Sequence, residues 1–83
     1  MPLRDQLTRF IAERLLQDRG AQVDPNESLL DRGVVDSVGL LNLISFLETE
    51  TGVRVPEDEM IPENFDTVVA MEALVTRLKT NGA

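Results

Sequence analysis

The sequence has no cysteine and no histidine, and these two absences exclude much of the chemistry available to a small protein. Without cysteine there can be no disulfide framework and no thiolate metal site. Without histidine there is no ordinary base to activate a serine nucleophile, and the single lysine, Lys79, lies near the C-terminus. We therefore expect no catalytic residue and no nucleophilic catalysis by this chain.

Long hydrophobic runs are also missing. No stretch approaches the ~20 apolar residues of a membrane-spanning helix, and the first ten residues contain no apolar signal-peptide core. The N-terminal segment is amphipathic, but Asp5 and Glu13 lie within it, and transit peptides are poor in acidic residues. The sequence therefore predicts a cytoplasmic protein without a membrane partner.

Recognisable metal and phosphate motifs are absent as well. The acidic residues Glu57, Asp58 and Glu59 are adjacent, but the glycine-centred pattern of a calcium loop does not surround them. No glycine-rich phosphate-binding loop occurs anywhere in the chain. We expect a solvated acidic loop at 57–59 and no metal site.

Positive charge is scarce. Fifteen acidic residues against eight basic residues leave a net charge of -7, which disfavours binding to nucleic acid and to anionic lipid. Basic surfaces on partner proteins are the natural complement.

The 83 residues are enough for one core, burying ~60–65% of the unfolded surface, but not for a deep active-site cavity. We expect one domain, residues 1–83, in a monomer.

The sequence contains helical periodicity and no strand pattern. The first helix is predicted from Leu3 to about Asp18, with Gly20 stopping it. Its apolar positions are Leu3, Leu7, Phe10, Ile11 and Leu15. Residues 21–35 are predicted to form a long ordered loop, which Leu29 and Leu30 hold against the core.

A second main helix is predicted from Asp36 or Ser37 to about Thr51, ending at Gly52. After a loop there is one short helical turn, Pro62 to Phe65. The last helix is predicted to begin after Asp66 as its N-cap. Its apolar face comprises Val68, Met71, Leu74, Val75 and Leu78. The fold class is therefore all-α: a small four-helix bundle of three main helices and one short helix.

The second main helix divides into two sides at about 100° per residue. One side is predicted to be core: Leu40, Leu43, Ile44 and Leu47. The other side contains Ser37 together with Val38, Leu41, Asn42, Ser45, Glu48 and Thr49. Val38 and Leu41 are apolar residues beside a hydroxyl and outside the core, which favours a docking surface. We expect Val38, Leu41, Ser45 and Glu48 to contact partner proteins.

The pair Asp36-Ser37 at the start of this helix has two interpretations. Aspartate and serine are common helix caps, so the pair could do no more than satisfy backbone N–H groups. Alternatively, Asp36 caps the helix while Ser37 presents its hydroxyl for attachment of another group. A phosphate ester at that position would lie where a helix N-terminus favours an anion.

Residues 29–60, LLDRGVVDSVGLLNLISFLETETGVRVPEDEM, resemble the signature of acyl carrier and peptidyl carrier proteins. The resemblance continues through ENFDTVVAM and covers nearly the whole chain. It implies that Ser37 receives 4′-phosphopantetheine from coenzyme A through a separate, magnesium-using phosphopantetheinyl transferase. The terminal thiol of the arm then carries acyl or aminoacyl groups as thioesters. In this family the aspartate equivalent to Asp36 also lies near the metal of the transferase.

The resemblance also implies further partners: an acyl- or aminoacyl-loading ligase or adenylation enzyme, and downstream synthase or tailoring enzymes. Gly39, Asn42 and Ser45 occupy positions where carriers of bacterial fatty acid synthesis commonly have Asp, Glu or Met. GVVDSVGLL resembles the form seen in freestanding carriers that load amino acids or unusual acyl starters, which include carriers of specialised metabolism and D-alanyl carriers. We expect a carrier of specialised metabolism, of polyketide or nonribosomal peptide type. A D-alanyl or fatty-acid-synthesis carrier is the alternative. A different class also stays open, an unmodified acidic helical interaction module.

Overall fold

Three main helices and several short helical segments make up the computed structural model, which describes residues 2–18, 20–33 and 35–81. These ranges contain no β-strand. The helices are α1 (Leu3–Phe10, continued by a π-helical segment, Ile11–Leu15), α2 (Leu29–Arg32), α3 (Ser37–Thr51) and α4 (Val68–Asn81), with 3₁₀ turns at Glu57–Glu59 and Pro62–Phe65. The predicted all-α class, with three main helices and a short turn at 62–65, is confirmed.

The first helix ends earlier than its periodicity predicts. Regular α-helix stops at Phe10, and a wider π-helical segment continues to Leu15. The Leu16 N–H donates to the Ile11 carbonyl at 2.8 Å, and Gln17 then adopts a left-handed φ of 55°. A left-handed residue ends a helix in the way that a C-terminal glycine does, so the termination comes before Gly20.

A short helix, α2, replaces part of the predicted loop. Ser28 Oγ accepts a hydrogen bond from the Asp31 N–H at 3.2 Å and caps the helix, which ends at Gly33 with φ of 77°. Leu29 is completely buried, whereas Leu30 is 39% exposed. Only one leucine holds this segment to the core, because adjacent side chains on a helix point about 100° apart. Val34, which the prediction included in this loop, lies outside the described residues.

Helix α3 begins at Ser37 and ends at Thr51, and Gly52 follows it with a left-handed φ of 74°. The predicted bounds of this helix are therefore confirmed. On its core side Leu43, Ile44 and Leu47 are buried. Leu40 is only half-buried, so its prediction as a full core residue was wrong. It packs against the core from the first turn of α3 but keeps part of its side chain in solvent.

The N-cap of α4 is Thr67 rather than Asp66. Thr67 Oγ1 accepts a hydrogen bond from the Ala70 N–H at 2.9 Å. The Asp66 carboxylate instead accepts hydrogen bonds from Ser28 Oγ at 2.7 Å and from the Leu30 N–H at 3.0 Å. Asp66 and Thr67 are both residue types that can cap a helix. Because the Asp66 carboxylate binds Ser28 and Leu30 instead, Thr67 is left to cap α4.

The core lies between α1, α3, α4 and the turn Pro62–Phe65. Helix α1 packs against α4, and the turn contacts both α3 and α4. The largest fully buried side chains are Phe65, Leu7, Ile11, Leu29, Leu43, Leu47, Met71, Leu74 and Val68. The packing of these side chains leaves the N-terminal end of α3 at the surface. No helix in the described ranges is long and apolar enough to cross a membrane.

Candidate functional site

Two backbone features bring the chain to the start of α3. Gly33 ends α2 in a left-handed conformation that glycine adopts without steric cost, so the chain can reverse there. Asp36 then takes an extended conformation, with φ of -101° and ψ of -169°, and its Oδ1 accepts a hydrogen bond from the Gly39 N–H at 2.7 Å. This is the geometry of an N-cap.

Ser37 is the first residue of α3, and its side chain is exposed. In the part of the chain that the structure describes, no group forms a hydrogen bond with its Oγ. Because Asp36 already caps the helix, the serine hydroxyl is not needed for capping. The two adjacent side chains therefore have different structural positions, one bonded to the backbone and one open to solvent.

Two exposed apolar residues follow Ser37 in the first turns of α3. Val38 is 66% exposed and Leu41 is 64% exposed, and Ser45 continues the same side of α3 toward its C-terminal half. An exposed apolar side chain alone needs no explanation, but here two lie within one turn of a free hydroxyl. We call Val38, Leu41 and Ser45 the helix-α3 surface.

Glu48 differs from the other residues predicted to lie on the docking side. Its side chain is half-buried, and its Oε2 accepts a hydrogen bond from the Val55 N–H at 2.9 Å. The carboxylate therefore holds the segment after α3 against the helix. Helical angle alone could not reveal this contact, because Val55 lies seven residues away in a non-helical segment.

Sequence reasoning also missed a ring contact beside the site. The rings of Phe10 and Phe46 are stacked, with centroids 4.3 Å apart and an interplanar angle of 28°. Both side chains are half-buried, and they join the end of α1 to the middle of α3. The only sequence signal was that aromatic residues are scarce. The chain has three phenylalanines and no tryptophan or tyrosine, so any ring pair has to join two of those three phenylalanines.

The fold and the site together define a class of protein. A small helical bundle presents an exposed serine side chain at the first residue of a 15-residue helix, near exposed apolar side chains. A group attached there would extend into solvent, within reach of a partner enzyme. This arrangement is typical of a carrier domain.

The family model for the phosphopantetheine attachment site matches residues 5–75. The chain belongs to this family of phosphopantetheine-binding carrier proteins, as its resemblance to acyl and peptidyl carrier proteins predicted. Its cofactor is covalently attached 4′-phosphopantetheine.

Three relatives illustrate the range of the family. A probable acyl carrier protein, PigG of Serratia sp. (strain ATCC 39006), is 35% identical over 79 residues, which cover 95% of this chain and 91% of the relative. The D-alanyl carrier protein of Streptococcus sanguinis (strain SK36) is 32% identical, with coverages of 95% and 98%. Aminoacyl carrier protein 1 of Bradyrhizobium diazoefficiens is 31% identical, with coverages of 88% and 81%. The chain is accordingly a carrier of acyl or aminoacyl groups.

Proposed function

We propose that Ser37 is the residue to which phosphopantetheine is attached, and that the protein serves enzymes of specialised metabolism. The observation that supports Ser37 most directly is its exposed hydroxyl, which no described residue binds, beside a neighbour, Asp36, that caps the helix. When attached, the cofactor supplies a terminal thiol on which acyl or aminoacyl groups are held as thioesters.

The residues around Ser37 fit the chemistry of attachment. Ser37 Oγ loses its proton as it bonds to phosphorus, the phosphoanhydride bond of coenzyme A breaks, and adenosine bisphosphate leaves. The proton goes to a base of the transferase, since this chain has no histidine. The N-terminus of α3 favours the remaining phosphodiester charge by ~0.3–1 kcal/mol at an exposed position.

Asp36 has a positioning role in this proposal. Its carboxylate is held by the Gly39 N–H, so the first turn of α3 and the backbone of Ser37 are fixed before the transferase binds. The resemblance adds a second role for Asp36, near the magnesium ion of the transferase.

For the chain as a whole, the proposal is a non-catalytic carrier that is monomeric, with residues 1–83 forming a single domain in the cytoplasm.

Carrier proteins of this family work with a phosphopantetheinyl transferase and with loading or synthase enzymes. For this chain we propose a loading ligase or adenylation enzyme and downstream synthase or tailoring enzymes, but no nucleic acid and no membrane. The helix-α3 surface and Glu48 are the proposed docking residues. Val38 and Leu41 would exclude water at the contact, and Glu48 would act through charge.

The pathway assignment depends on the exposed side of α3. Asn42, Ser45 and Thr49 are exposed there and uncharged, in a chain with a net charge of -7, and Glu48 is the one acidic residue predicted for this side. A docking side with a single acid supports a carrier of specialised metabolism over one of fatty acid synthesis. The D-alanyl carrier is the second candidate, supported by a relative of that name at 32% identity.

Intact-protein mass spectrometry tests the attachment site. The protein is incubated with coenzyme A and a broad-specificity phosphopantetheinyl transferase, and we expect a gain of one phosphopantetheinyl group. Ser37→Ala abolishes the gain, whereas Thr76→Ala, which removes an exposed hydroxyl of α4 outside the proposed docking residues, retains it. Circular dichroism should show the same helix content for both variants. A mass gain in Ser37→Ala would contradict the assignment, and no gain in the wild type would favour an unmodified interaction module.

A further inference from the structure

Asp66 joins the short helix α2 to the segment that precedes α4. Its side chain is half-buried, and its Oδ1 accepts hydrogen bonds both from Ser28 Oγ at 2.7 Å and from the Leu30 N–H at 3.0 Å. Its backbone carbonyl accepts a third hydrogen bond, from the Leu29 N–H at 2.6 Å. We call these three bonds between Asp66 and residues 28–30 the Asp66 clamp.

Helix α2 depends on this clamp. It has only four residues, and a helix of that length is not stable in water by itself. The first N–H groups of a helix have no acceptor within it, so they need acceptors from elsewhere. Asp66 supplies them for the first two residues of α2, and Ser28, which Asp66 holds, supplies them for the other two. A residue just before α4 therefore fixes the position of α2.

Helix α2 lies close to the proposed attachment site because the chain between them is short. The helix ends at Gly33, and only three residues separate Gly33 from Ser37. Even a fully extended chain of that length places their Cα atoms no more than about 14 Å apart. A protein–protein interface of ordinary size covers about 800 Å² of each partner, which is a patch of about 16 Å in radius. An enzyme centred on Ser37 therefore covers the C-terminal end of α2.

We propose that Asp66 is a positioning residue for docking of the phosphopantetheinyl transferase. The clamp fixes α2, and α2 forms one edge of the surface that the transferase covers around Ser37. Leu30, which is 39% exposed, adds an apolar side chain to this edge. The inference rests on the proposed attachment at Ser37 and extends it to a residue outside α3. Asp66 touches no reacting atom, so it acts only through the position of α2.

Loss of the clamp should change binding rather than chemistry. Leu29 stays buried and the Val69 N–H still donates to the Pro25 carbonyl at 3.1 Å, so the segment remains attached while α2 becomes free to reorient. The transferase then has to order α2 when it binds, which weakens association. The Asp36 cap and the Ser37 hydroxyl are unaltered. We therefore expect a higher KM for the carrier and an unchanged kcat.

Two substitutions at Asp66 separate the hydrogen bonds from the charge. Both side-chain bonds end on Oδ1, and Oδ2 accepts none from a described residue, so the amide oxygen in Asp66→Asn can accept both. Asp66→Ala removes both. Rates are measured with coenzyme A, a broad-specificity phosphopantetheinyl transferase and varied carrier concentration. Asp66→Ala should raise KM roughly two- to tenfold, the equivalent of one net hydrogen bond, and Asp66→Asn should stay within about twofold of the wild type.

Thr67→Ala is the matched control for stability. It removes the cap of α4, next to Asp66, but no described bond joins the Thr67 side chain to α2. It should lower the thermal midpoint and leave KM unchanged. Ser28→Ala removes the other end of the clamp and should raise KM as Asp66→Ala does. Hydrogen exchange of the Leu30 N–H, followed by NMR, should accelerate in Asp66→Ala but not in Thr67→Ala.

The results distinguish this inference from the attachment proposal. No mass gain in the wild type overturns attachment at Ser37, and the role of Asp66 with it. If the wild type is modified but Asp66→Ala and Ser28→Ala keep the wild-type KM, only the positioning role is wrong. An equal rise of KM in Asp66→Asn and Asp66→Ala would assign the effect to charge. An equal rise in Thr67→Ala would assign it to lost stability, and either result would contradict the role of the clamp.

Discussion

At the residue scale, Asp36 and Ser37 have separate tasks although they are adjacent. The aspartate carboxylate accepts the Gly39 N–H at 2.7 Å, while the serine hydroxyl has no partner among the described residues. A serine that capped the helix would have its oxygen turned toward the backbone and hindered as a nucleophile. Capping by the preceding residue keeps the hydroxyl available without leaving the helix start unsatisfied.

Removal of this cap has a predictable cost. Asp36→Ala should lower the free energy of unfolding by ~1 kcal/mol, the usual loss when an N-cap side chain is replaced by alanine. Asp36→Asn keeps the acceptor oxygen and should recover most of that loss. Urea denaturation of the two variants measures the difference. Equal destabilisation by Ala and Asn would mean that the carboxylate charge, rather than the hydrogen bond to Gly39, stabilises α3.

At the element scale, α3 has one buried side and one exposed side, and its ends are fixed by different means. Asp36 caps the N-terminus with a side chain, and Gly52 ends the helix with a left-handed backbone. Glu48 then joins the helix to the following segment through Val55. The helix is thus held from within the bundle and at both ends, while Leu41 and Ser45 stay exposed.

Alanine substitutions on the two sides of α3 should lower the free energy of unfolding by very different amounts. Leu47 is completely buried, so Leu47→Ala should cost ~2–5 kcal/mol through lost burial and the cavity left behind. Leu41 is 64% exposed, and Leu41→Ala should change stability by about 0.5 kcal/mol or less. Leu40, being half-buried, should give a loss between these two. Denaturant midpoints of the three variants test this order of stability losses. A large loss in Leu41→Ala would show that Leu41 belongs to the buried side of α3.

At the scale of the whole molecule, excess negative charge accompanies a small apolar contact region. The net charge of -7 favours approach to a basic partner at long range, whereas Val38 and Leu41 act only after contact. Because salt screens the first effect and not the second, the two can be separated by experiment.

Loading rates should separate these two contributions. Leu41→Glu should slow transfer of cargo from the loading enzyme at both low and high salt, because it introduces a charge that must be desolvated at the contact. Glu48→Gln should slow transfer mainly at low salt. Thermal midpoints serve as the control, especially for Glu48, whose carboxylate also holds the Val55 N–H. A Glu48→Gln effect that persisted at high salt would indicate a structural rather than an electrostatic role.

Much of the fold and the central feature of the site could be predicted from local sequence. The bounds of α3, the turn at Pro62–Phe65 and the apolar face of α4 depend on periodicity and on residues with strong backbone preferences, such as Gly52 and Pro62. The exposed pair Val38 and Leu41 also followed from helical angle. These properties depend on contacts within a few residues, so a single sequence contains the information.

The sequence by itself thus determined the helical class, the position of Ser37 at a helix start and the membership of the carrier family. Only the tertiary structure decided which residues cap the helices and which distant residues pair. Asp66 bonds to Ser28, 38 residues away, and so leaves the cap of α4 to Thr67. Phe10 stacks on Phe46, 36 residues away, because the end of α1 lies beside the middle of α3. Such partners are chosen by packing between distant segments, which no local pattern records.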